Sequence, residues 1–270
     1  MTEHAIERGR SGRAAVDGRA PARRWSGLAW RQYRIERKMF WRNPSAAFFN
    51  FLLPLVFLGL FGALLHDDRR SLQVLVPGIA GMAVMSTTFN ALAFNITALR
   101  ELGILKRVRG TPLPTSAYLA GIGGSAVTNT VAQITIISVA GRVLFGLEWP
   151  QDVLALAFFV ALGVVCFASL GVALSHAIPN FDAAPGYVNA AFLPLIFISG
   201  VFYDAADAPR VIKDVAQALP LKHLIDGLSG AMVHGEGVGQ HVVAALVLAV
   251  WGAAGLILAM RGFSWESRSA

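Results

Sequence analysis

Six long apolar runs, separated by short polar or charged segments, make up most of this chain. A helix needs about 20 mostly apolar residues to cross the hydrocarbon core of a membrane, which is about 30 Å thick. Each run is close to that length, so the pattern predicts an all-α, polytopic membrane bundle with six transmembrane helices. The predicted spans are approximately 45–65, 74–99, 117–146, 153–175, 186–203 and 242–260.

A segment at 23–43 has the spacing of an amphipathic helix rather than of a span. Basic side chains lie between the positions of its apolar stripe, which is typical of a helix that lies in a membrane interface. Asn43 and Pro44 end the pattern. The stripe consists of Trp25, Leu28, Gln32, Ile35 and Met39.

A second amphipathic segment, at about 209–232, precedes the last span. Pro220 divides it into two stripes, each too short to span a membrane. We predict a pair of short re-entrant helices on the outer side, with an ordinary extracellular loop as the alternative. Together with the short fifth span, these helices are expected to form an outer gate. The gate residues are Pro194, Ser199, Gly200 and Pro220.

The distribution of charge predicts the orientation of the bundle. Only 14% of the residues are charged, against about a quarter in soluble domains. Lysine and arginine favour the cytoplasmic side, and with both termini inside, the inner segments hold 17 of them against 5 outside. We therefore predict a plasma-membrane protein with both termini in the cytoplasm. The basic N-terminal region allows a nucleic-acid-binding arm as the less favoured alternative, and we predict no nucleic-acid partner.

The remaining boundaries follow from these segments. Residues 1–22 are polar and lack the apolar core of a signal peptide, so a disordered cytoplasmic tail is predicted. Residues 44–262 form the six-span domain, and 263–270 form a cytoplasmic C-terminal tail.

The connection between spans two and three carries the most informative motif. A short basic helix emerges from the membrane there and stops at Gly110-Thr111-Pro112. Glu101 near its start and basic residues near its end suit the helix dipole. A helix of this kind suits a groove on a cytoplasmic partner, and a solvated loop is the alternative.

This motif resembles the signature of type-2 ATP-binding-cassette (ABC) permeases, and the stretches 193–203 and 219–228 resemble the same family. Daunorubicin-resistance-like exporters are the most similar branch, which implies multidrug export and antibiotic resistance. The resemblance implies a coupling helix that docks on a separate ATPase, and a second permease, identical or related. The residues that the resemblance assigns to the coupling helix are Arg100, Glu101, Gly103, Leu105, Lys106, Arg107, Arg109, Thr111 and Pro112.

Catalytic and metal-binding motifs are missing from the sequence. No lysine follows a glycine, so the chain has no P-loop to hold ATP. We predict that this chain is not an enzyme, that it binds no cofactor, and that ATP and Mg bind to the partner ATPase. The histidines match no metal-ligand spacing, and the one cysteine, Cys166, lies in an apolar run.

Polar residues inside spans two and three are candidates for a substrate path. Hydrogen bonding between helices is the alternative role for such residues. The expected function is export of a drug-like, lipid or glycan substrate. An ATP-independent secondary transporter or channel is the rival, but it needs deep ionisable residues, which the predicted spans lack. A membrane enzyme is less favoured. The candidate residues for the substrate path in spans two and three are Ser86, Asn90, Asn95, Ser125, Asn129 and Gln133.

Overall fold

A computed structural model describes residues 21–104, 113–203 and 208–262. Helices are the only regular elements in these three ranges, as the sequence predicts. The α-helices are α1 (Pro21–Arg42), α2 (Pro44–Leu64), α3 (Arg69–Met85), α4 (Ala91–Glu101), α5 (Thr115–Phe145), α6 (Val153–Ser175), α7 (Ala184–Ile198), α8 (Arg210–Ala218), α9 (Pro220–Ser229) and α10 (Val242–Gly262). A π-helical segment (Ser86–Asn90) joins α3 to α4, a π-turn (Gly230–His234) follows α9, and a 3₁₀ turn (Val238–His241) leads into α10.

Several helix ends are set by local side-chain chemistry. The Asp68 carboxylate accepts a hydrogen bond from the Arg70 amide and starts α3. Asp152 does the same for the Ala155 amide at 2.9 Å and starts α6. Such caps satisfy amides that have no partner within the helix. At the end of α5, Gly146 has a positive φ of 66°, which favours glycine.

The unbroken helical path 69–101 runs through the centre of the bundle. It includes α3, the π-helical segment and α4, and its apolar residues are almost entirely buried. Helices α2, α5, α6 and α9 pack around it. The π-helical segment inserts an extra residue into the turn, a feature that occurs often at functional sites.

Small residues allow α6 and α10 to pack closely along their lengths. A Cβ atom added to Gly252 would lie 3.3 Å from the Cys166 Cα, and Cys166 itself is fully buried. The Ser169 hydroxyl donates to the Gly252 carbonyl at 3.0 Å. Close backbone approach and a hydroxyl bond between helices are typical of packing in membranes.

Four helices in the described ranges are long and apolar enough to cross a membrane. They are Arg69–Glu101, Ser116–Phe145, Val153–Ser175 and Val238–Arg261. The apolar helices Asn50–Leu64 and Ala184–Ile198 are shorter, and they coincide with the first and fifth predicted spans. The structure thus confirms a bundle with four candidate spans, and the count of six stays a prediction.

Two ends of the bundle can be distinguished from the alternation of the helices. We call one the Glu101 end, where α4 and α6 finish and α5 and α7 begin. At the opposite end, the Glu148 end, α5 finishes and α3 and α6 begin. The charge distribution predicts that the Glu101 end faces the cytoplasm.

Helices α8 and α9 meet at the predicted break, and α9 enters the bundle, whereas α8 buries only Ala216. Leu221, Leu224 and Leu228 of α9 are fully buried, which does not fit an ordinary surface loop. The Trp251 ring nitrogen donates to the Ala218 carbonyl at 2.9 Å. Trp251 lies nine residues into α10, or about 14 Å along a helix. The α8–α9 turn therefore lies beside the middle of α10, and the re-entrant placement on the outer side stays a prediction.

Candidate functional site

A buried arginine ties the end of α4 to the end of α6. The Arg100 guanidinium is 4% exposed, and it donates to the Ser175 carbonyl at 3.0 Å and to the Ile178 carbonyl. Carbonyls in the last turn of a helix have no partner within it, and a guanidinium can donate to two acceptors at once. Arg100 therefore fixes the connection 176–183 to the central helix.

Glu101 holds the same connection from its other end. Its carboxylate accepts a hydrogen bond from the Phe181 amide at 2.6 Å. Two residues later, Gly103 adopts a positive φ of 66°, so the chain turns sharply away from α4. Arg100 and Glu101 form what we call the α4 clamp. Because the clamp joins α4 to the connection between α6 and α7, movement of the chain beyond Gly103 would be transmitted to both of these helices.

Helix α1 packs lengthwise against the first half of α5. The Trp25 ring nitrogen donates to the Ser116 hydroxyl at 3.0 Å, and the Tyr33 and Thr128 hydroxyls lie 3.2 Å apart. Gly121 permits this contact, because an added Cβ there would lie 2.5 Å from the Gln32 Cβ. The 31-residue α5 is longer than a span needs, and α1 covers its first turns. The predicted amphipathic helix is present, and Gln32, the one polar residue of its predicted stripe, faces α5.

A cleft of about 540 Å³, lined by both apolar and polar residues, opens between α1, α2, α4 and α5 at the Glu101 end; we call it the polar cleft after its amide groups. Amide side chains dominate its polar lining, and Phe181 from the clamped connection forms part of its wall. Its mixture of amides, hydroxyls and aromatic rings suits ligands that combine polar groups with apolar surface. The polar lining residues are Glu36, Asn43, Asn50, Thr87, Asn95, Ser125 and Asn129.

Half of the predicted path residues line this cleft: Asn95, Ser125 and Asn129. Asn129 also accepts a hydrogen bond from the Arg37 guanidinium, so it joins α5 to α1.

Gln133 has the alternative role, hydrogen bonding between helices. It is 2% exposed, accepts from the Thr87 hydroxyl, and donates to the Asn50 carbonyl at 2.6 Å. These bonds close the deep end of the cleft. Ser86 and Asn90 belong to the π-helical segment and do not line the cleft.

Glu36 is a functional candidate that sequence reasoning missed. It lies on α1, outside the predicted spans, yet packing against α5 brings it into the cleft. Burial raises the pKa of its carboxyl, and a hydrogen bond from Gln32 at 2.8 Å opposes that shift. Arginine neighbours on α1 gave no sequence signal of this placement. The polar part of the cleft lining therefore includes one acidic group, and it is not uncharged as the span residues alone indicated.

Known proteins are similar to this chain in sequence. The ABC-2 type transporter family matches residues 26–233, which is more than half of the chain. The chain belongs to the ABC-2 type transporter family. Membrane subunits of this family are components of ABC transporters, which work with ATP-binding subunits. The resemblance drawn from the motif between spans two and three is thus confirmed.

Individual relatives of this ABC-2 chain have low sequence identity to it, but the similarity extends over much of its length. Nodulation protein J of Sinorhizobium fredii is 25% identical over 242 residues, which cover 85% of this chain and 90% of that protein. Nodulation protein J of Rhizobium meliloti is 26% identical over 245 residues, with the same coverage of 85% and 90%. The "Probable multidrug ABC transporter permease YbhS" of Escherichia coli is 24% identical over 170 residues, 62% of this chain and 44% of that protein.

The ABC-2 match includes the whole of the predicted coupling helix and outer gate. The described residues include Arg100, Glu101 and Gly103 of the coupling helix. The other predicted coupling residues, Leu105, Lys106, Arg107, Arg109, Thr111 and Pro112, lie outside the described residues.

The gate residues of the ABC-2 chain are brought partly together. Pro194 lies inside α7, which continues past it to Ile198, and it does not break the helix. Ser199 and Gly200 follow directly and line one cavity near the Glu148 end. Pro220 begins α9 and lines a different, apolar groove beside α10. Their shared role as a gate stays a prediction.

Proposed function

We propose that this chain is the permease subunit of an ATP-driven exporter in the plasma membrane, with both termini in the cytoplasm. A separate ATPase, which holds ATP and Mg, supplies the energy, and a second permease completes the transport unit. The observation that carries this proposal is the α4 clamp, placed directly before the segment that resembles a coupling helix. The family match supports it independently.

The clamp offers a mechanical route from the ATPase to the spans. Arg100 binds the end of α6 and the start of the 176–183 connection, and Glu101 binds Phe181 further along it, so a push on the chain after Gly103 moves α4, α6 and α7 as one unit. Phe181 moves with them, and it lines the cleft. Closure driven by ATP thus reshapes the cleft at the Glu101 end. This is the mechanical step that an exporter needs to move a substrate from its inward-facing entry site towards the outside.

The cleft is the proposed entry site for the substrate. Its asparagine side chains both donate and accept hydrogen bonds, and its phenylalanine rings offer apolar contact. Drug-like molecules, lipids and glycans each present both kinds of group. Among the relatives, the one named a probable multidrug permease favours drug-like molecules, whereas the name Nodulation protein J states no substrate.

The test uses the chain expressed with a candidate ABC ATPase subunit from the same organism. Glu101→Ala removes the acceptor of the Phe181 amide, and Glu101→Gln keeps an oxygen there without the charge. We expect both variants to assemble with the ATPase. Stimulation of ATP hydrolysis by a panel of drugs, lipids and glycans should be lost in Glu101→Ala and reduced in Glu101→Gln.

Glu148→Ala is the matched control, because it removes an exposed carboxylate at the opposite end that, among the described residues, accepts a single 3.3 Å bond from Gln151. It should behave as wild type. Failure of the chain to associate with any ATPase, or full stimulation in Glu101→Ala, would show that the coupling assignment is wrong.

An ATP-independent secondary transporter is the second candidate, and Glu36 is the observation that favours it. A half-buried carboxyl with a raised pKa inside a cleft is a group that can couple proton and substrate binding. This alternative predicts transport that survives ATP depletion and stops when the proton gradient is collapsed. The exporter proposal predicts the reverse.

A further inference from the structure

Helix α1 carries a ridge of basic side chains on the side that faces away from α5. Four cationic residues recur there at spacings of three, four and four, which place them on one side of a helix. All four are exposed, whereas Gln32 and Arg37 on the packed side are partly buried and bonded to other side chains. This basic ridge consists of Arg31, Arg34, Lys38 and Arg42.

The charge of the basic ridge is not neutralised within the described part of the chain. None of its four cations has a hydrogen bond or an ion pair to another described residue. Glu36 is the one acidic residue of α1, and it lies on the packed side, in the polar cleft. The ridge therefore presents four positive charges to its surroundings and favours a negatively charged partner.

Exposed apolar side chains border the basic ridge on both sides. Trp30 and Trp41 are 60% and 62% exposed along one border, and Ile35 and Met39 are 52% and 51% exposed along the other. Tryptophan is enriched where a membrane meets water, because one end of its ring system is apolar and the other is polar. Cations between exposed apolar groups fit a surface that has anionic headgroups above an apolar interior.

The contacts with α5 place the basic ridge at the depth of such headgroups. Helix α5 has 31 residues and is about 46 Å long, close to the 40–45 Å of a bilayer with its headgroup regions. Helix α1 lies beside the first half of α5, from Ser116 to Asn129. One residue after α1 ends, α2 begins at Pro44, and α2 is the first predicted span. The ridge therefore lies next to the point where the chain enters the membrane.

We propose that the basic ridge and its apolar borders bind the headgroups of anionic phospholipids in the leaflet at the Glu101 end. A negatively charged leaflet attracts each nearby lysine or arginine, and this attraction decreases within a Debye length, about 8 Å at physiological ionic strength. Lipid bound there holds α1 against α5, and α1 forms one wall of the polar cleft. The interaction requires neither the ATPase nor transport, so its failure would leave the exporter proposal untouched.

The experiment uses the full chain in phosphatidylcholine nanodiscs that contain a photoactivatable phosphatidylglycerol. After illumination, the lipid adducts are mapped by mass spectrometry, and unlabelled phosphatidylglycerol is added as a competitor to obtain an apparent affinity. We expect saturable adducts on α1 that decrease as salt is added, because the charges are exposed. A photoactivatable phosphatidylcholine, which carries no net charge, should give far fewer adducts on α1.

A double variant and a matched control separate the ridge from the overall charge of the chain. Arg34→Gln with Lys38→Gln removes two ridge cations and should weaken phosphatidylglycerol binding at α1 about thirtyfold. Its thermal midpoint in neutral lipid should equal that of the wild type, since neither cation has a described partner to lose. Arg69→Gln with Arg210→Gln removes the same charge from exposed positions on α3 and α8, and it should leave the adducts on α1 unchanged.

Three results would overturn the proposal. The first is an equal yield of α1 adducts from the phosphatidylglycerol and phosphatidylcholine probes, which would show that the headgroup charge is not recognised. The second is an equal loss of affinity in the control and the ridge variant, which would indicate net charge alone. The third is complete protection of α1 from the lipid probe by a bound candidate ATPase, which would show that the ridge is a protein-docking surface.

Discussion

Replacing Arg100 with methionine tests the α4 clamp most sharply. Methionine retains much of the apolar stem and removes the guanidinium, which donates to the Ser175 and Ile178 carbonyls. Hydrogen bonds that involve a charged group contribute about 1.5–3 kcal/mol each. Removing the buried charge also removes its desolvation cost, which offsets part of this loss. We expect a net loss of about 3 kcal/mol in the free energy of unfolding.

The assay is the thermal midpoint of the purified chain in detergent. A loss of 1 kcal/mol lowers the midpoint by roughly 2–4 °C for chains near this size, so the expected decrease is about 6–12 °C. The midpoint of Arg100→Lys should lie between those of the wild type and Arg100→Met, because an ammonium keeps the charge but does not reproduce the planar fork of donors. Hydrogen exchange should also increase in the connection 176–183, which loses its attachment to α4.

Arg31→Met is the matched control, since Arg31 is exposed on α1. Its free energy of unfolding should change by no more than about 0.5 kcal/mol, the range typical of surface substitutions. Its thermal midpoint should therefore stay close to that of the wild type. Equal midpoints for Arg100→Met and Arg31→Met would refute the clamp, as would unchanged hydrogen exchange in the connection.

Two further substitutions test other parts of the account. Gly171→Ala should destabilise the chain by about 1–3 kcal/mol, because the added Cβ would lie 2.5 Å from the Phe89 carbonyl oxygen in the π-helical segment. Gly123→Ala, which meets nothing within 4 Å, should be neutral or stabilising in the same thermal assay. Burial raises the pKa of Glu36, so its ionisation costs stability as the pH rises through the window above its ordinary value of about 4.3. Glu36→Gln should therefore be more stable than wild type at pH 7, and the two melting curves should converge below about pH 4.

Much of the fold follows from periodicity, because long apolar runs have few other stable structures in a membrane. The amphipathic α1 and the break before Pro220 were both predicted from the spacing of apolar residues. The depth of α9 was harder to judge, because an apolar stripe of three leucines does not show which helix it contacts. Its burial against α3 and α6 depends on tertiary packing.

In the candidate site, too, the sequence motif identified residues but did not show which distant parts of the chain they contact. Arg100 and Glu101 stood out in a motif, but the motif pointed to a cytoplasmic partner. Their described contacts are with the 176–183 connection, which lies about 75 residues further along the chain. Glu36 was overlooked for a related reason. Among the arginines of α1 it has the pattern of a solvated charge, and only the contact with α5 encloses it.

The most direct test of the central claim is the mass and composition of the complex purified through this chain. The chain and a candidate ABC ATPase subunit from the same organism are expressed together and analysed by native mass spectrometry in the presence of ATP and Mg. The account predicts an assembly that contains two permeases, identical or related, and bound ATPase subunits. Recovery of the chain without any ATPase, under conditions in which both proteins are folded, would contradict it.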